Sequence, residues 1–128
     1  MREEAAAWWE QAQADLKAAG HSIDSGDYHI GAFLCQQSVE KAFKALWIEQ
    51  KKEMPPKSHN LTELGKGLSV PDRLATALRE LNPLFATTRY PDAANGVPAQ
   101  MYDEPITRER FQEAGEVMEW CRSQLEQK

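Results

Sequence analysis

Gln36, Gln37, Glu40, Lys41 and Lys44 make up the densest polar stretch of the 128-residue chain. Glu40 and Lys44 stand four residues apart, in the order that favours an ion pair on a helix. Gln37, Lys41 and Lys44 share one stripe of such a helix, where two ammonium groups can meet an anion. The same pattern also suits a solvated helix face, and spacing alone does not separate the two. Two further groups carry ionisable or stacking side chains: Lys57-Ser58-His59 and Arg89-Tyr90-Pro91-Asp92. Taken singly, His59 fits a helix cap or a surface residue, and the Tyr-Pro-Asp turn fits a loop anchor.

Several chemistries are excluded by what is missing. A di-iron bundle needs a Glu three residues before a His, and none of His21, His29 and His59 has one. A zinc centre needs clustered ligands, whereas Cys35 and Cys121 each fall on an apolar stripe and read as buried small hydrophobes. The chain contains neither the P-loop pattern nor the Gly-x-Gly-x-x-Gly fingerprint of dinucleotide sites. No metal and no cofactor is therefore expected.

The elements that must position these groups are helices. Trp9, Ala12, Leu16, Ala19 and Ile23 alternate spacings of three and four, which predicts one helix that begins to end at Gly20. Ser25-Gly26-Asp27 marks a turn. Tyr28, Ala32, Cys35, Val39, Ala42 and Leu46 predict a long second helix, closing near Lys51-Lys52. All seven prolines lie at or after Pro55, so nothing earlier interrupts these two helices.

Beyond Pro55-Pro56, Asn60-Leu61-Thr62-Glu63 has the spacing of a capping box and predicts a short helix that stops near Gly65 or Gly67. Ser69 ahead of Pro71 suits a further helix start, with Leu74, Leu78, Leu81 and Phe85 as its apolar face and Pro83 as a break. Residues 86–105 read as a long irregular connection. The last helix is expected to be capped by Thr107, with Ile106 packing on Phe111 as a staple. Its stripe is Phe111, Ala114, Met118, Cys121 and Leu125. The fold class is all-α: an antiparallel up-down helical bundle of four main helices plus a short extra helix and a long loop, within one domain over 1–128.

The net charge is −5, with 41% hydrophobic and 27% charged residues. Residues 1–40 hold two basic and seven acidic side chains, and residues 90–128 hold four and eight. Residues 41–89 reverse the balance with nine basic and five acidic. The overall sign argues against indiscriminate nucleic-acid binding, while the basic middle leaves room for a local anion site. No apolar run approaches the ~20 residues of a membrane span, and the start of the chain has no long apolar segment of the secretory type. A cytoplasmic location, with no membrane partner, is the expectation.

In this order, the motifs resemble a known family. The Gly26-Asp27-Tyr28 turn leads into Ala32-Phe33-x-x-Gln36-Gln37-x-x-Glu40-Lys41-x-x-Lys44-Ala45-Leu46, followed by Ser58-His59-x-Leu61 and Arg89-Tyr90-Pro91-Asp92. This looks like the HEPN domain (higher eukaryotes and prokaryotes nucleotide-binding), over about Ala14 to Trp120. The resemblance implies a helical bundle, a homodimer, and pairing with a small nucleotidyltransferase in a toxin–antitoxin-like or nucleotide-handling operon. Many relatives are metal-independent RNases marked by an arginine followed, after four to six residues, by a histidine. That signature is absent here, because only Arg2 precedes any histidine and no histidine lies beyond His59.

The expectation is thus a non-catalytic dimeric module that binds a nucleotidyltransferase partner, a nucleotide, or both. Lys41, Lys44 and Arg89 are its anion contacts, Tyr90 a stacking residue, Glu40 an orienting group for Lys44, and His59 a polar contact beside the site. In a purely structural reading, Glu40, Lys41 and Arg89 instead lock the long loop to the second helix. The runner-up function is a metal-independent RNA endonuclease with a degenerate site of His59 and Arg89, and a third is a purely structural adaptor dimer. Trp8, Trp47 and Trp120 supply aromatic area of the kind favoured at interfaces.

Overall fold

The computed structural model describes residues 1–127. Helix α1 spans Glu3–Asp24 and α2 spans Tyr28–Lys51. They form an antiparallel hairpin in which Ala5, Trp9, Ala12, Ala19 and Ile23 face Ala32, Cys35, Val39 and the rest of the core. Helix α1 runs through Gly20 and ends at Asp24, just before the expected Ser25-Gly26-Asp27 turn. A different glycine governs this hairpin, because α1 and α2 approach closely at Gly31. A Cβ there would sit 2.8 Å from Ile23 and 3.2 Å from the Ala19 carbonyl. Helix α2 stops at Lys52, whose φ of 58° places it in the left-handed region of a helix terminus.

Helix α3, Leu61–Gly67, is capped as expected by Asn60, whose Oδ1 accepts from the Glu63 amide at 3.0 Å. The reciprocal half of the box differs: the Asn60 amide donates to Ser58 Oγ. A 3-10 turn over Asp72–Leu74 follows Pro71 and leads into α4, Ala75–Leu81. Ser69 does not cap it and instead adopts a positive φ of 57°. Pro83 divides the predicted face, so Leu74, Leu78 and Leu81 are buried on one side of the break and Phe85 falls in α5, Leu84–Thr87.

The connection over 86–105 is more regular than its composition suggests. It carries two helical turns, α6 at Pro91–Ala94 and α7 at Pro98–Met101, each opened by a proline. Thr87 Oγ1 and the Tyr102 hydroxyl meet at 2.7 Å and tie its ends together. Helix α8, Glu104–Glu126, is capped by Asp103 and not by Thr107. Asp103 Oδ1 accepts from the Ile106 amide, and Thr107 is buried with its hydroxyl on the Asp103 carbonyl. Ile106 is exposed, so the expected staple on Phe111 gives way to this cap.

Direction is set at both ends of α8. Arg108 bonds Asp24 at the end of α1, and the Arg122 guanidinium lies over the Trp9 ring near its start. Helices α1 and α8 are therefore antiparallel, and α2 runs with α8. The chain is an all-α, up-down bundle whose core centres on Phe43, Leu46, Leu61, Leu64, Leu81 and Val117. Trp47 packs within the chain, where a Gly67 side chain would be, and Trp120 is buried. Among the described residues, no helix is long and apolar enough to cross a membrane.

Candidate functional site

Gln36, Glu40 and Lys44 recur every four residues along α2 and so share one stripe. That stripe is buried and not solvated: Gln36, Glu40 and Lys44 are 0%, 4% and 8% exposed. A buried carboxylate must be paired to be retained, and Glu40 is paired on both oxygens. Its Oε2 accepts from Lys44 Nζ at 3.0 Å. Its Oε1 accepts from Gln36 Nε2 at 3.1 Å and lies 2.9 Å from His59 Nδ1. Gln36 also donates to the His59 carbonyl, and Gln37 donates to the Gln36 amide oxygen.

Burial by itself would raise the Glu40 pKa, but the hydrogen bonds from Lys44, Gln36 and His59, with the Lys44 charge, outweigh it. The carboxyl is held below its ordinary value of 4.5. Glu40 is thus an anion that orients two flanking groups. With Nδ1 turned to the carboxylate, His59 presents its other nitrogen, Nε2, away from that bond, on a ring more than half exposed.

The His59 ring stacks on Phe85, with centroids 3.8 Å apart and planes 14° from parallel. The Arg89 guanidinium lies 4.2 Å from the same Phe85 centroid, 4.7 Å from Phe33 and 4.8 Å from Tyr90. Its Nε donates to the Phe85 carbonyl one helical turn back. His59 and Arg89, thirty residues apart in the sequence, therefore share one aromatic ring. The exposed Arg89 and Tyr90 sit at the start of the 86–105 connection.

Lys41 belongs elsewhere. It points to α1 and forms an ion pair with Asp15 at 2.6 Å, and Asp15 in turn accepts from Gln11. Glu40, Lys41 and Arg89 consequently do not form one network. Three separate devices take their place: Glu40 with His59 and Lys44, Lys41 with Asp15, and Arg89 on its aromatic rings.

On the flank of His59 opens a cleft of about 430 Å³, lined by Trp8, Lys44, the Met54–Lys57 segment and His59. Lys44 Nζ lies 5.5 Å from the Trp8 ring centroid. A separate groove of about 400 Å³ between α3 and α4, with Lys66 and Arg79 on its lining, shares no lining residue with this cleft. Sequence reasoning does not assign Phe33, Phe85, Gln36, Asp15 or Trp8 to a site. The four-residue repeats Gln36–Glu40–Lys44 and Phe85–Arg89 are the available signal.

A further carboxylate grouping, Glu80, Glu109 and Glu113, brings its oxygens within 4.8 Å of one another. Arg110 occupies the position a cation would take, paired with Glu80, with Glu109 at 3.3 Å and with Glu113 at 3.2 Å. The Glu113 carboxyl is nevertheless raised, chiefly by burial, with Arg110 acting against that shift.

Comparison with known proteins extends the geometry. The family model described as HEPN domain matches residues 5–124. The crystal structure of TT1696 from Thermus thermophilus is 29% identical, covers 96% of this chain and 99% of its own, and superimposes with a TM-score of 0.88. That of ST0689, an archaeal HEPN homologue, is also 29% identical, with 98% and 100% covered and a TM-score of 0.82. A search of curated protein sequences returned no match.

Proposed function

The chain belongs to the HEPN domain family, and on that footing we propose that it is a non-catalytic, dimeric module that binds a nucleotide through the surface around His59. A small nucleotidyltransferase is its partner in this reading, in a toxin–antitoxin-like pair. The observation that carries it is the Glu40 hub. A buried anion holds Lys44 and His59 in fixed positions next to a cleft, and the exposed Arg89 and Tyr90 extend the same face. The Lys44 ammonium and the Arg89 guanidinium suit phosphate, and the aromatic rings suit a base. The missing arginine-to-histidine signature supports binding over cleavage.

Isothermal titration with ATP, GTP and their monophosphates tests the nucleotide claim. Heat is expected with the native protein and a weaker response with Lys44→Ala and Arg89→Ala, their folding checked by circular dichroism. No heat, or equal heat from all three proteins, contradicts it. Dimerisation is tested by sedimentation equilibrium at micromolar concentration, and partner binding by co-purification with the nucleotidyltransferase of a neighbouring gene.

One observation favours a second reading, a metal-independent RNA endonuclease. Glu40 and His59 form a carboxylate–histidine pair with Arg89 on the adjoining ring. In that role His59 Nε2 takes the proton of a ribose 2′-hydroxyl and Arg89 stabilises phosphate charge. Cleavage of a structured RNA that disappears in His59→Ala would put this reading first.

A further inference from the structure

The cleft beside His59 has two unlike halves. Trp8, Met54, Pro55 and Pro56 give it apolar walls, while Lys44 and Lys57 supply ammonium donors and His59 one edge of its ring. Among the described residues, no carboxylate lines it. Glu40 lies behind Lys44 and His59 and takes one hydrogen bond from each, which leaves Lys44 two donors and Lys57 its full charge. An apolar wall beside a cluster of cations is complementary to a ligand with a planar ring at one end and an anion at the other. The volume of about 430 Å³ lies near the lower end of the roughly 300–1,000 Å³ typical of small-molecule sites. That is room for one such unit and not for a folded chain.

We propose that this cleft is the pocket for a single mononucleotide, with the base against Trp8 and the Pro55-Pro56 wall and the phosphate on Lys57 and Lys44, beside the His59 ring. The proposal rests on the nucleotide reading of the same surface and narrows it to one cleft and one ligand size. Residues 54–59 connect α2 to α3, so the pocket's wall and its cation Lys57 come from the same connecting segment that delivers His59 to Glu40. The prolines restrict that segment's backbone, and Gln36 holds the His59 carbonyl from α2. The wall is therefore fixed from both sides before any ligand arrives.

Equilibrium titration of the full chain with 5′-AMP and 5′-GMP, beside adenosine and inorganic phosphate, tests the proposal. The monophosphates are expected to bind at least about tenfold more tightly than either adenosine or phosphate. Trp8→Ala and Lys57→Glu should each weaken them by about tenfold, and Lys66→Ala, in the separate groove, should leave them unchanged. Lys57 is exposed, so its substitution reports on the pocket without disturbing the core. Monophosphate binding that ignores Trp8→Ala and Lys57→Glu overturns the assignment to this cleft while the nucleotide reading stands. Absence of binding by every nucleotide overturns that reading and this proposal together.

Discussion

Glu40 and His59 are nineteen residues apart in sequence, and Glu40 Oε1 lies 2.9 Å from His59 Nδ1. The bond joins the middle of α2 to the segment entering α3, and the second Glu40 oxygen holds Lys44 at 3.0 Å. Removing one member of a buried ion pair leaves the other charged and unpartnered, at a cost of about 3–5 kcal/mol. Glu40→Ala should therefore lower the unfolding free energy by about that amount in urea titrations. Glu40→Gln, which keeps a hydrogen-bonding oxygen, should cost less. Equal stability of Glu40→Ala and the native protein would show that the pair does not hold the fold.

The same carboxyl makes stability depend on pH. Glu40 titrates below its ordinary 4.5 in the folded protein, so in acid the unfolded chain binds the proton first. Its contribution is complete above the unfolded value and is lost as pH falls through the lowered folded one. Glu113 is shifted the other way, so its ionised form costs stability that protonation relieves. The stability gap between native protein and Glu40→Gln should narrow as the pH is lowered from about 6 to about 3. Denaturant midpoints measured across that range check the slope, and a constant gap contradicts it.

Gly67 lets α3 lie against the Trp47 ring. A Cβ at that position would fall 2.4 Å from the indole, and a ring packed this closely cannot retreat far enough without repacking its neighbours. Gly67→Ala should destabilise by about 1–3 kcal/mol, seen as a lower midpoint in thermal or urea unfolding.

The two thiols should be inert in the native state. Burial pushes Cys35 up to about 12, and Cys121 is raised as well. Thiolate is the reactive form, so a thiol-specific reagent near pH 8 should label neither residue until denaturant is added. Rapid labelling of the folded protein would mean that the α2–α8 packing opens on that timescale.

Much of this architecture is legible in the sequence because apolar spacing fixes helix faces before any contact is known. The stripes of α1, α2 and α8, the Asn60 cap and the break at Pro83 all follow from local rules. The connection over 86–105 is harder to read, since Pro91 and Pro98 act as first residues of short helices and not as breakers. Thr107 misleads for a related reason: a hydroxyl suits a cap, but Asp103, one turn earlier, takes that role and leaves Thr107 to the core. In the site, the Glu40–Lys44 pair is local and therefore visible. The bonds from Glu40 to His59 and from Lys41 to Asp15 span 19 and 26 residues, so only the folded bundle reveals them. Burial of the α2 stripe is hidden for the same reason, because it depends on the segments that cover it.

Whether the surface around His59 receives a nucleotide can be read most directly from backbone and indole amide shifts of the ¹⁵N-labelled protein titrated with 5′-AMP. The account predicts saturable shifts confined to Trp8, Lys44, Met54, residues 57–59 and the Phe85–Tyr90 turn. No shifts at all, or shifts centred on the Lys66–Arg79 groove instead, would contradict it.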